Sequence, residues 1–239
     1  MPVEYTSISQ REHVLKRPGM YIGETVLKQY TGHIIKTLNP VELEYRTYEI
    51  IPGLLKLFNE SLDNAKDNIP RSIENNTPQK FIKVNVNDWS VTIQNDGHII
   101  PVTKNVKGEW IPTMIFGTLL SGSNYNDSED RTCIGTNGLG IKLVVIFSTQ
   151  FTVEIKDPVN KMQFTQTWKN NMEIVEKPSV SKYTGKTGLV KVMYTLDMSK
   201  FKQQCNKLEF HKCIETQVIY TACMFDNIKV YYNENQIKM

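Results

Sequence analysis

Gly135-Thr136-Asn137-Gly138-Leu139-Gly140-Ile141-Lys142 places three glycines and a lysine immediately ahead of an apolar run. Glycines let a backbone come close to an anion, and the N–H groups that open a helix favour phosphate. Lys142 adds a point charge. Two familiar phosphate motifs are excluded. The Walker pattern needs lysine directly after its last glycine and then Ser or Thr, whereas here Ile141 intervenes and Leu143 follows. The dinucleotide pattern G-x-G-x-x-G fails because Leu143 stands where its last glycine belongs. What remains is a phosphate loop of another type, or a glycine loop that binds nothing.

Two further groups of residues could do chemistry. In residues 54–68, Glu60, Asn64 and Asp67 fall in one narrow stripe at helical spacing, opposite Leu55, Phe58, Leu62, Ala65 and Ile69. Such a helix aims a carboxylate and an amide at whatever faces it, although a solvated polar face is the plainer reading. Asn95-Asp96-Gly97 follows the alternating residues 90–94. It reads first as a turn. In a pocket floor, Asp96 would be an acceptor for an exocyclic amine such as that of adenine.

The elements that must hold these groups are legible from periodicity. Helical spacing covers 54–69, 141–147 and 205–225, with a short apolar helix or turn starting near Pro112. Strand-like runs cover 81–86, 90–94, 151–155, 162–168, 189–194 and 228–232. Residues 69–79, with two prolines, and the polar stretch 124–131 read as breaks. Helices mixed with strands that often follow one another predict an α+β fold with one mixed or antiparallel sheet covered by helices.

Composition narrows the function classes. The chain has 239 residues, 40% hydrophobic and 22% charged, enough for a core in one large or two small domains. The longest apolar run, 143–147, is too short to cross a bilayer, and residues 1–10 do not read as a signal peptide. Cys133, Cys205, Cys213 and Cys223 form no zinc-type pair, so reduced thiols in an intracellular protein are expected. A net charge of +3 is no obvious nucleic-acid clamp, although a local basic patch could hide in that average.

Taken in chain order, the three groups resemble the motifs of the GHKL ATPase superfamily. Further segments narrow the resemblance to type IIA DNA topoisomerases, nearest the eukaryotic or viral single-chain enzymes. Arg17-Pro18-Gly19-Met20-Tyr21-Ile22-Gly23 is similar to their N-terminal signature. Ile51-Pro52-Gly53-Leu54-Leu55-Lys56-Leu57-Phe58-Asn59-Glu60 is similar to the segment entering the catalytic helix. Leu119-Leu120-Ser121-Gly122-Ser123-Asn124-Tyr125 is similar to the lid motif, and Trp168-Lys169-Asn170-Asn171-Met172 and Val230-Tyr231-Tyr232-Asn233 belong to the same branch. The match runs over nearly the whole chain.

The resemblance implies a two-layer α/β sandwich of the Bergerat type, spanning 1–239, with an N-terminal arm at 1–30 and a lid and phosphate loop at 122–142. It implies Glu60 as general base, Asn64 as the side-chain ligand of Mg²⁺, and Asp96 as the adenine reader. Asn68, Gly122, Ser123 and Asn124 join the nucleotide contacts, as do Gly135, Thr136, Asn137, Gly138, Leu139, Gly140, Ile141 and Lys142. Two positions depart from the pattern: Ile99 and Ile134 stand where family members carry glycine. The expected activity is ATP hydrolysis driving a dimer gate that passes duplex DNA, in the nucleus or in an infected host cell, with no membrane partner. A transducer lysine and a DNA-cleavage domain would lie beyond residue 239. The rival readings are a non-catalytic, nucleotide-gated dimerisation module and a chaperone or mismatch-repair ATPase of the same superfamily.

Overall fold

The computed structural model describes residues 7–119 and 138–238. Two short helices, α1 (Gln10–Lys16) and α2 (Gly19–Ile22), precede a hairpin of β1 (Lys28–Thr37) and β2 (Glu42–Ile50). The long helix α3 (Pro52–Glu74) leads into β3 (Phe81–Asn87) and β4 (Ser90–Asn95). Helices α4 (Ile111–Gly117) and α5 (Gly140–Ile146) come next, followed by β5 (Ser148–Asp157), β6 (Met162–Lys169), β7 (Ile174–Val175), β8 (Ser179–Lys182) and β9 (Leu189–Leu196). The chain closes with α6 (Lys207–Met224), β10 (Lys229–Tyr232) and β11 (Asn235–Gln236).

The main sheet runs β11-β10-β3-β4-β9-β5-β6-β7, with β8 also paired to β6. Only β10 and β3 pair in parallel among these strands, so the sheet is mixed, as the sequence predicts. Side chains alternate across it. Ile82, Val84, Val91, Ile93, Phe151, Val153, Val192 and Tyr194 are buried on the face that carries the helices. Helices α3, α5 and α6 form that second layer, with α3 in contact with both of the others.

Helix α3 begins where Pro52 occupies its first turn, a position that needs no N–H donor. Leu54, Leu57, Phe58, Leu62, Ala65 and Ile69 make its buried stripe, and Ser61 Oγ shares a 2.8 Å hydrogen bond with the Tyr194 hydroxyl of β9. Two sequence expectations are corrected here. The helix does not stop at residue 69 but runs through Pro70 to Glu74. Ser72 is completely buried and its hydroxyl donates to the Asn68 carbonyl at 2.5 Å, so tertiary packing outweighs the donor that proline lacks. Asp67, expected on the polar stripe, is buried as well.

The β1–β2 hairpin is a two-stranded sheet of its own, absent from the sequence expectations. Helix α6 holds it. The Ile35 N–H donates to Thr216 Oγ1, and Arg46 reaches across to Glu209 at 2.9 Å. The Asn206 side chain caps α6 by accepting from the N–H groups of Leu208 and Glu209.

Gly97, just after β4, sits at φ +95, and a Cβ there would overlap Ser72 Oγ. Gly108 has φ +79 but open space around it. Gly97→Ala should therefore destabilise the fold by at least about 2 kcal/mol, backbone strain and overlap combined, and by more than Gly108→Ala. Urea denaturation of both variants checks this; equal losses would leave φ alone as the cause.

Candidate functional site

Glu60 and Asn64 lie one turn apart on the side of α3 that faces away from the core. The Glu60 side chain is 21% exposed, and Oε1 pairs with the Lys56 ammonium one turn earlier. Its other oxygen is set by a close approach. A Cβ at Gly140, the first residue of α5, would overlap Glu60 Oε2. Packing of α3 on α5 thus presses the carboxylate against the C-terminal end of the glycine loop. Asn64 donates from Nδ2 to the Glu60 carbonyl at 2.8 Å, so Oδ1 is the atom its amide turns outward.

The turn after β4 is fastened to the same helix. Asn68 Nδ2 donates to the Asp96 carbonyl at 3.0 Å and to Gln79 Oε1 at 2.9 Å. Gln79 Nε2 donates back to the Ala65 carbonyl at 3.1 Å, and the His98 N–H donates to Ser72 Oγ at 2.7 Å. Asn68, Ser72 and Gln79 are buried, and such networks hold position well when every member is satisfied. The Asp96 carboxylate accepts through Oδ1 from the N–H groups of Lys80 and Phe81, at 2.8 and 3.1 Å. The turn reading and the pocket reading of Asp96 therefore share one carboxylate, with Oδ1 committed to the start of β3. Sequence reasoning missed Ser72 and Gln79, because nothing in their spacing marks them.

Gly138 adopts φ +59, Leu139 is the helix-entry residue, and α5 starts at Gly140. Lys142 is 1% exposed, and its ammonium donates to the Gly138 carbonyl. Ile141 is half-buried against the core. Ile99 packs on Gly188, where a Cβ would overlap its Cγ1. Gly122, Ser123, Asn124, Ile134, Gly135, Thr136 and Asn137 lie outside the described residues.

Burial pushes Lys142 down from 10.5 to about 8. Below pH 8 the folded and unfolded chains both carry this charge, and the folded one bears the whole desolvation penalty. Between about 8 and 10.5 the unfolded chain alone stays protonated, so stability rises with pH. Lys142→Met should gain most over the parent near pH 7. That advantage should shrink by about 3 kcal/mol towards pH 10.5, measured by denaturation at both pH values. A difference that does not change with pH would contradict a depressed Lys142.

No protein-family model matches the chain. In sequence it is 35% identical over 238 residues to DNA topoisomerase 2 of Candida glabrata, covering 98% of this chain and 17% of that protein. The DNA topoisomerase 2 of Invertebrate iridescent virus 6 is 33% identical over 247 residues, covering 98% and 22%. The chain spans less than a quarter of the length of these relatives. In fold, the ATPase region of Saccharomyces cerevisiae topoisomerase II superposes with a TM-score of 0.91 at 34% identity, covering 98% of this chain and 61% of that one. The ATPase and transducer domains of DNA topoisomerase II from Balamuthia mandrillaris give 0.89 at 30% identity, covering 98% and 60%. Agreement of sequence and fold along nearly the whole chain shows that it belongs to the type II DNA topoisomerase family, in the part that corresponds to the ATPase region of those proteins.

Proposed function

We propose that this chain binds ATP and hydrolyses it to ADP, as the N-terminal domain of a type II DNA topoisomerase. The observation that carries the reading is the contact between the Glu60 carboxylate and Gly140. It places a carboxylate where the glycine loop meets its helix, and a triphosphate held by that loop would end beside it.

Phosphoryl transfer asks the protein mainly for positioning and charge stabilisation. Glu60 Oε2 is the base that orients the attacking water and takes its proton. Lys56 holds the other oxygen and restrains the carboxylate. Gly138, Leu139 and Gly140 let the backbone approach the phosphates. Asp96 and Asn68 define the adenine end, with Asp96 accepting from the exocyclic amine.

A hard oxygen ligand suits Mg²⁺, which needs few protein donors because phosphates and waters complete its shell. Asn64 fits, since its Nδ2 is occupied by the Glu60 carbonyl and its oxygen is the remaining donor atom. A bound Mg²⁺ would neutralise charge on the phosphate oxygens.

In the longer protein, this domain would act as a homodimer whose nucleotide-driven closure captures a DNA duplex. It would work in the nucleus of a cellular eukaryote or in an infected host cell. Among the described residues no helix is long and apolar enough to cross a membrane.

Glu60→Gln should slow single-turnover hydrolysis by about 10²–10⁴ while affinity for a non-hydrolysable ATP analogue with Mg²⁺ stays unchanged. Undiminished hydrolysis would remove Glu60 from the mechanism. Asp96→Ala should weaken ATP and ADP alike by about tenfold or more and blur the preference for adenine over guanine, as expected for a lost charged hydrogen bond. Calorimetry reads the affinities. Asp96→Asn, which retains an acceptor for the Lys80 and Phe81 N–H groups, separates recognition from folding.

A further inference from the structure

Gln79, Lys80 and Phe81, which lead into β3, together set the polarity of the adenine end of the site. The N–H groups of Lys80 and Phe81 hold Asp96 Oδ1, leaving Oδ2 for a ligand. Gln79 acts on Asn68 through its side chain. Its Nε2 donates to the Ala65 carbonyl at 3.1 Å, and its Oε1 accepts from Asn68 Nδ2 at 2.9 Å. The second hydrogen of that Nδ2 goes to the Asp96 carbonyl at 3.0 Å. Both ends of this relay are backbone carbonyls, which accept and never donate, so they fix which way each amide stands. A reversed Gln79 would set oxygen against the Ala65 carbonyl. A reversed Asn68 would set oxygen against both Gln79 Oε1 and the Asp96 carbonyl. Gln79 and Asn68 are buried, so water would not relieve either clash. With Nδ2 fully used, Oδ1 is the atom of the Asn68 amide that has no partner among the described residues. It is not sealed in either, because Trp168 Nε1 alone is both enclosed and unpartnered among them.

We infer that Gln79 is a positioning residue for base selection: by fixing the Asn68 amide it offers the bound base a second acceptor, Asn68 Oδ1, beside Asp96 Oδ2. An exocyclic amine carries two N–H groups and can serve two acceptors. A carbonyl in the same place, as in guanine, would face oxygen from both, and buried acceptors left without a proton are strongly disfavoured. Selection then comes from refusing the wrong edge as well as from holding the right one. This role rests on the reading of the site as an ATP pocket with Asp96 at the base, and it adds the residue that makes the neighbouring amide one-way. Glu60 and Asn64 sit on earlier turns of α3 and bond to neither Gln79 nor Asn68, so base selection and hydrolysis should separate.

The experiment is calorimetry of this chain with the Mg²⁺ complexes of ADP, GDP and purine riboside diphosphate, which carries hydrogen in place of the amine. Gln79→Met keeps the Cβ on which the Gly97 turn rests, but it neither donates nor accepts, so the Asn68 amide is free to turn. ADP affinity should fall by about five- to tenfold, affinity for the purine nucleotide by about twofold at most, and the ADP-over-GDP ratio by about tenfold or more. Single-turnover hydrolysis at saturating ATP should keep the parent rate. Gln79→Glu, which retains an oxygen for Asn68 Nδ2, should restore most of the preference. Should Gln79→Met fail to fold, Gln79→Ala carries the test: water in the vacated space donates as readily as it accepts, and the same pattern is expected. Equal losses for the three nucleotides would overturn the assignment and leave Gln79 a packing residue. An adenine preference that survives Gln79→Met or Gln79→Ala unchanged would overturn it too. A parent chain that binds none of the three would remove the ATP reading itself, and this role with it.

Discussion

The site depends on one close approach: the start of α5 comes so near α3 that a Cβ on residue 140 would meet the Glu60 carboxylate. Helix α3 buries Leu54, Phe58 and Leu62 completely or nearly so, which fixes its rotation about its own axis. With that rotation fixed, Glu60 brings one carboxylate oxygen to the start of α5 and the other to Lys56. Any side chain on residue 140 would have to displace the carboxylate or separate the helices. The glycine loop and the acidic residue are therefore parts of one packing solution, though about eighty residues separate them in sequence.

A second fastening sets the other end of the site. Asn68, Ser72 and Gln79 form a buried polar network between α3 and the turn after β4. Each member has a partner, which is the condition under which such a network confers rigidity. The positive φ of Gly97 and its contact with Ser72 continue the same junction. Helix α3 thus supports both ends: its middle turns carry Glu60 and Asn64, and its later turns grip the Asp96 loop.

Much of this was legible in the sequence because it rests on periodicity. The central strands, the α3 stripe and α6 bury one side, and burial imposes a repeat that residues display, whereas α5 is buried all round and shows as a plain apolar run. The failures have physical causes. Pro70 signals a helix end locally, but Ser72 and Ile69 lie deep enough that the helix continues. The β1–β2 hairpin escaped notice because its strands are mostly exposed and because β2 turns Glu44 and Arg46 to its more buried face and Leu43 and Tyr45 outward, so its alternation runs against hydropathy. Spacing marks glycine and lysine as a phosphate loop but does not reveal that the Lys142 ammonium reaches back to the Gly138 carbonyl. Gln79 carries no signal, since its importance lies in two partners about a turn apart on α3, Ala65 and Asn68, that only folding brings to it.

The most direct measurement of the central claim is single-turnover ATP hydrolysis by Gly140→Ala, alongside its melting temperature and its affinity for a non-hydrolysable analogue with Mg²⁺. If the approach of Gly140 to Glu60 positions the base, the added methyl should displace the carboxylate and slow hydrolysis by about 10²-fold. Affinity should change by only a few-fold, and the fold should remain intact. Hydrolysis at the parent rate would contradict the account, and so would a loss explained entirely by weaker nucleotide binding.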